Sequence, residues 1–175
     1  MKKHCAFGKV MLSLTVLLGI SFLIMTDAAL AQEDVAQHPA CPYCGMDRAK
    51  FAHSRVYMEY DDGTTVGTCA LHCAALDMAF KIDKTPKAIM VGDYSSKRLI
   101  DAEKAFWVIG GSKMGVMTTR AKWAFEKKED TDLFVKEFGG ELATFDDAVQ
   151  AAFEDMHKDL KMIRKKRQMK KMKEM

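Results

Sequence analysis

The chain has 175 residues, of which 49% are hydrophobic and 29% charged, and its formal net charge at pH 7 is +3. That total is the balance of +2 in residues 1–31, −6 in residues 32–156 and +7 in residues 157–175. An acidic body with a short basic end is not typical of nucleic-acid-binding proteins, so we expect no nucleic-acid partner. The length suits one globular domain once an export segment is set aside.

Residues 1–31 have the pattern of a secretory signal peptide. Three lysines come first, residues 10–25 form an apolar run without charge, and Ala-Leu-Ala at 29–31 resembles a cleavage site. The apolar run is slightly short for a membrane span, which makes an uncleaved anchor the weaker alternative. We therefore expect a periplasmic or otherwise exported protein that is soluble after cleavage, with a membrane-anchored form as the alternative.

The first sulfur motif is Cys41-Pro-Tyr-Cys44-Gly-Met46, which follows a polar segment, residues 32–40, predicted to be a flexible tether. Two thiols stand three positions apart, and a thioether follows two positions later. Thiolate and thioether sulfur are the donors that favour Cu(I) over harder cations. The motif therefore predicts one wall of a soft-metal site.

A first β-β-α-β unit follows this motif. Residues 53–60 alternate as a strand does, residues 61–63 form a hairpin turn ending in glycine, and residues 64–68 form the returning strand. Residues 70–81 have apolar side chains at helical spacing, and residues 87–93 read as a third strand.

The second sulfur motif lies where the predicted helix begins. Cys69 and Cys73 are four positions apart, so they share one helical face if the helix has started by Cys69. His72 stands between them and is a further candidate ligand. These three residues predict a second wall of the metal site.

A second unit of the same kind comes next. Residues 105–109 and 121–125 are predicted strands joined by a glycine-rich loop, residues 110–117. Residues 129–138 are a predicted helix ended by two glycines, and residues 141–145 are a predicted strand. The fold class is therefore α+β, with two tandem β-β-α-β units over residues 41–156.

The third sulfur motif is the pair Met114 and Met117 in the glycine-rich loop. Methionine often fills space in a hydrophobic core, and a glycine-rich loop does not require such a side chain, so these two are candidate ligands. A long C-terminal helix is predicted from Ala148, capped by the two preceding aspartates. Its end, residues 157–175, is basic and methionine-rich, and we expect a solvated helical tail. Alternatively, it binds anionic lipid or an acidic partner, or relays Cu(I) weakly through methionine.

Four cysteines remain after residue 31, and other chemistries compete for them. An even number in an oxidising compartment can form two disulfides, although pairing within either motif closes a small loop and gains little chain entropy. Four thiolates also suit a closed structural zinc site, and Cys41 with Cys44 has the spacing of a thiol-disulfide oxidoreductase. Zinc and redox chemistry stay open beside Cu(I). No catalytic triad or phosphate-binding loop is recognisable, so we do not expect an enzyme.

Several of these motifs together resemble the NosL family, over about residues 38–155. The resemblance is carried by Cys41-Pro-Tyr-Cys44-Gly-Met46, Asp62-Gly63, Met114-Gly-Val-Met117, Gly139-Gly140 and the helix start Phe145-Asp-Asp-Ala148. NosL proteins are exported copper-binding accessory proteins of nitrous oxide reductase, built from tandem β-β-α-β units.

The resemblance implies a copper chaperone whose leading copper residues are Cys44, Met46 and Met117, with Cys41 and Met114 next. It also implies a copper-accepting apo-enzyme of the nitrous oxide reductase type as partner, together with copper donors or membrane assembly proteins. The chain departs from the family pattern in its second sulfur motif, in Val116, where many members have proline, and in lacking a lipid-accepting cysteine.

Overall fold

The computed structural model describes residues 33–174, and the signal peptide predicted for residues 1–31 lies outside the described residues. No helix in this described part combines the length and apolar character needed to cross a bilayer. The elements in chain order are α1 (Glu33–Gln37), β1 (Val56–Tyr60), β2 (Thr65–Thr68), α2 (Leu71–Phe80), β3 (Pro86–Gly92), β4 (Leu99–Asp101), β5 (Phe106–Ile109), β6 (Lys122–Phe125), α3 (Lys128–Phe138), β7 (Glu141–Ala143) and α4 (Phe145–Glu174).

The first sheet has the strand order β2-β1-β3-β4, and all of its pairings are antiparallel. Along β1 the side chains of Val56, Met58 and Tyr60 are buried, as the period of two requires for a strand with one face on the core. Leu71 and Ala74 of α2 join the same hydrophobic cluster, so α2 covers this face of the sheet.

The second sheet has the order β6-β5-β7 and repeats the arrangement of the first. In both sheets the first strand of the unit is central, its hairpin partner lies on one side, and the strand after the helix lies on the other. The predicted α+β class with two β-β-α-β units is confirmed. β4 is an addition at the edge of the first sheet, where it pairs with β3.

The C-terminal helix α4 is a single element of 30 residues. It begins with a reciprocal cap in which the Asp147 backbone N–H donates to Thr144 Oγ1 at 3.2 Å, and the Thr144 N–H donates to the Asp147 carboxylate at 2.9 Å. The predicted start at Ala148 is thus three residues late. Ala148, Ala151 and Ala152 are buried, and these small side chains let α4 pack closely on the core.

The start of the described chain differs from the predicted tether, because Glu33–Gln37 form the helix α1. Asp34 is buried, and its Oδ2 lies 2.6 Å from Arg48 Nη2 and 2.9 Å from Arg55 Nε. Both arginines are fully buried. Two buried guanidinium groups are costly without a carboxylate partner, so their ion pairs with Asp34 hold α1 against the domain.

Candidate metal centre

Four cysteine thiols meet at one point of the fold. The sulfur atoms of Cys41, Cys44, Cys69 and Cys73 all lie within 4.8 Å of one another, and all four cysteines are free. Cys44 Sγ is 3.4 Å from Cys69 Sγ, and Cys69 Sγ is 3.8 Å from Cys73 Sγ. Three of the thiols are buried and Cys44 is half-buried. The two cysteine motifs predicted to converge are therefore brought together.

The first cysteine motif forms a tight loop closed on itself. The Cys41 N–H donates to the Met46 carbonyl at 2.9 Å, and the Gly45 N–H donates to the Cys41 carbonyl at 2.8 Å. Gly45 has a φ of 76°, in the left-handed region that glycine adopts without strain. This turn lets one short loop carry both Cys41 and Cys44 to the cluster.

The second cysteine motif spans the junction between β2 and α2. The helix begins at Leu71, so Cys69 precedes it and only Cys73 is helical. The condition for a shared helical face, a helix that has begun by Cys69, is therefore not met, although the two thiols still meet. The Ser54 hydroxyl donates to the Cys69 carbonyl at 2.9 Å and holds the junction in place.

A buried carboxylate ties the first loop to α2. Asp77, one turn beyond Cys73, accepts hydrogen bonds from the hydroxyls of Tyr43 and Tyr60, and Lys81 Nζ lies 3.1 Å from its Oδ1. Burial, followed by the Asp77 carboxylate, raises the pKa of Tyr43, so its hydroxyl remains a donor. Because Tyr43 stands between Cys41 and Cys44, this bond fixes the distance between the two cysteine motifs.

The four thiols compete for protons. Hydrogen bonds from the thiols of Cys44, Cys69 and Cys73 lower the pKa of Cys41. Hydrogen bonding to Cys41 and the other thiols, together with burial, raises the pKa of Cys73. Ionisation is thus favoured at Cys41 and opposed at Cys73, so a metal ion that binds all four thiolates must displace protons.

Two predicted methionines lie against the thiol cluster and one lies outside it. Met46 and Met117 are partly buried and pack on the buried cysteines. Met117 has a φ of 61°, which is uncommon for a residue other than glycine and marks a backbone held by its surroundings. Met114 is 77% exposed. The methionine loop therefore places one thioether beside the thiols and a second at the surface.

His72 does not join the thiols. Its Nδ1 lies 3.5 Å from Oδ2 of Asp159 on α4, and both residues are buried. Neither ring nitrogen has a hydrogen-bond partner among residues 33–174. Burial lowers the pKa of His72, which keeps the ring neutral. His72 therefore faces α4 from the helix that carries Cys73.

The sequence did not predict a cavity that opens beside the thiols. It has a volume of about 640 Å³, and one side is lined by Cys44, Met46, Met114 and Met117. The other side belongs to α4 and is lined by Met162, Ile163, Lys166, Arg167 and Lys170.

One α4 side chain reaches the cysteine loop directly, since Arg167 Nη2 lies 3.4 Å from the Cys44 carbonyl oxygen. Part of the segment predicted as a solvated tail therefore forms a wall of the site. A signal was present in the sequence, because Met162, Ile163, Lys166 and Lys170 share one helical face.

The family model NosL matches residues 32–153. The crystal structure of the copper chaperone NosL from Shewanella denitrificans is similar at 21% sequence identity and a TM-score of 0.49, over 61% of this chain and 87% of that chain. None of the curated proteins matches the chain.

Proposed function

The chain belongs to the NosL family, and on that premise we propose that it is an exported metallochaperone that binds Cu(I) and delivers it to a periplasmic copper enzyme. The observation that carries this proposal is the meeting of four free thiols within 4.8 Å, flanked by the thioethers of Met46 and Met117. Thiolate and thioether together form a soft donor set, which suits Cu(I).

The sulfur donors differ in exposure, and this difference indicates from which side copper leaves the site. Cys41, Cys69 and Cys73 are buried, whereas Cys44 is half-buried and lines the cavity. Met114 lies further out at the surface. An acceptor protein can therefore reach Cys44 first, and Cu(I) moves to it by exchange of sulfur ligands.

No reaction is catalysed in this scheme, and copper keeps its oxidation state. When the metal leaves, protons return to the thiolates whose pKa is raised in the apo cluster, such as Cys73. We propose a copper enzyme of the nitrous oxide reductase type as the acceptor, as the family resemblance implies. The resemblance also implies the periplasm as the compartment, with copper donors or membrane assembly proteins as further partners.

The test is an anaerobic competition titration of the reduced mature protein with Cu(I) against a chromophoric chelator. The double variant Cys44→Ser, Met117→Ala should bind Cu(I) at least about tenfold more weakly, a loss of about 1.4 kcal/mol. Met172→Ala is the matched control, since Met172 is exposed and does not line the cavity. Equal affinity of the wild type and the double variant would overturn the proposal.

Four cysteine thiols at this separation also favour a second candidate, a structural zinc site that supports an interaction module. That reading requires purified protein to carry zinc, to unfold when a chelator removes it, and to be indifferent to Met46→Ala. The half-buried Cys44, which lines the cavity, weighs against it, because structural zinc sites are closed. Metal analysis of protein purified anaerobically separates the two.

A further inference from the structure

The cavity beside the thiols is far larger than a copper ion needs. Its volume of about 640 Å³ falls within the range of about 300–1,000 Å³ that is typical of sites for small organic ligands. Apolar side chains such as Phe51 and Ile163 line it together with Cys44. A bare ion passing to the thiols would leave most of this volume without a role.

The charged side chains that line the cavity are all basic. Lys166, Arg167 and Lys170 line it, and no acidic residue is among the described residues that do. Within residues 33–174, Lys166 and Arg167 take part in no ion pair, and Lys170 has only Glu174 at 3.6 Å. All three cations lie on α4 beyond residue 153, where the match to the family model ends.

These three cations oppose the entry of a free cation and favour an anion. We propose that copper reaches this site as a small anionic Cu(I) complex, in which a thiolate that also bears carboxylate holds the metal. This inference rests on the proposed copper-binding function. The carboxylate pairs with Lys166 and Arg167, for which the planar Arg guanidinium is well suited. The bound metal then faces Cys44 on the opposite wall.

The hand-over is an exchange of sulfur ligands. The bond from copper to the carrier sulfur breaks and a bond from copper to Cys44 Sγ forms. The Cys44 thiol proton passes to the departing thiolate, whose sulfur leaves as a thiol while its carboxylate stays charged, and copper remains Cu(I) throughout. Every atom and charge is accounted for without an oxidant or a reductant.

The placement of the cations favours a small carrier over an acidic protein surface. Lys165, Lys171 and Lys173 are exposed on the same helix, as the three lining cations are, but they do not line the cavity. A protein face would meet both sets of cations, whereas a small complex inside the cavity would meet only the lining set. Neutralising each set separately therefore shows whether the lining cations are the ones that act on a small anionic carrier.

The experiment uses the reduced mature protein, two triple variants and two copper carriers of similar size. The lining variant is Lys166→Gln, Arg167→Gln, Lys170→Gln, and its control of equal charge change is Lys165→Gln, Lys171→Gln, Lys173→Gln. The carriers are Cu(I) with 3-mercaptopropionate, an anionic thiolate, and Cu(I) with cysteamine, which bears an ammonium group instead. Copper uptake is quenched at set times with a chelator and measured by metal analysis.

We expect the lining variant to take up copper from 3-mercaptopropionate at least about tenfold more slowly than the wild type, as electrostatic steering predicts. Uptake from cysteamine should not slow, and the control variant should differ from the wild type by less than about threefold with either carrier. Equal slowing in both variants would show that the overall charge of α4 acts and not the cations that line the cavity, and it overturns the inference, as does indifference to the carrier. Failure of the wild type to bind Cu(I) at equilibrium overturns the proposed function itself, whereas normal affinity without carrier selectivity overturns only this inference.

Discussion

Replacing Asp34 with asparagine should destabilise the domain strongly. The Asp34 carboxylate is the partner of two fully buried arginines, Arg48 and Arg55. Removing one partner of a buried ion pair and leaving the other charge costs about 3–5 kcal/mol. Because a domain has a total stability of about 5–15 kcal/mol, this single change should remove a large share of it.

The effect should be measured by urea unfolding of the reduced apo-protein, followed by circular dichroism. Asp101→Asn is the matched control, because Asp101 pairs with Lys104 at 2.6 Å where the lysine side chain is 83% exposed. An exposed pair contributes about 0–1 kcal/mol. If Asp34→Asn costs no more than this control, then α1 is not docked by the buried carboxylate, and the predicted tether is the better description of residues 32–40.

Three further predictions concern the site. Tyr43→Phe removes the hydrogen bond to Asp77 and should lower the free energy of unfolding by about 1–3 kcal/mol in urea; an unchanged midpoint would contradict the link between loop and helix. The affinity for Cu(I) should fall as pH is lowered from 8 to 6, because protons compete with the metal for thiols such as Cys73, whose pKa is raised. An affinity that does not change with pH in the competition titration would refute this. Gly115→Ala places a Cβ 2.7 Å from Thr118 Cγ2, so it should displace the methionine loop. The free energy of unfolding, measured with heat or urea, should fall by about 1–3 kcal/mol. A variant as stable as the wild type would show that the loop relaxes freely.

The sequence predicted the elements whose signals are local. The hairpin of β1 and β2 follows from alternation and from Gly63, whose φ of 80° suits the turn. β4 was missed because it has three residues, of which only Ile100 is buried, and its existence depends on pairing with β3. α1 was missed for a similar reason, since its buried carboxylate has partners that are 14 and 21 residues away.

The cysteine part of the site was predictable, and its surroundings were not. Sulfur spacing identified the residues that meet, although spacing along the chain does not say that α2 begins only at Leu71. The position of His72 against α4 was not predictable, because its environment is set by Asp159 on a distant helix. The role of α4 was missed because a run of lysines and arginines is typical of a solvated face, although Met162 and Ile163 share one helical face with Lys166 and line the cavity with it.

The central claim, a sulfur site for Cu(I), is tested most directly by X-ray absorption at the copper edge of the reduced protein, loaded anaerobically with an equimolar amount of Cu(I). We predict a first shell of sulfur alone around the copper, which loses sulfur neighbours in the Cys44→Ser, Met117→Ala variant. A first shell dominated by nitrogen or oxygen, or copper that is lost from the protein on gel filtration, would contradict the claim.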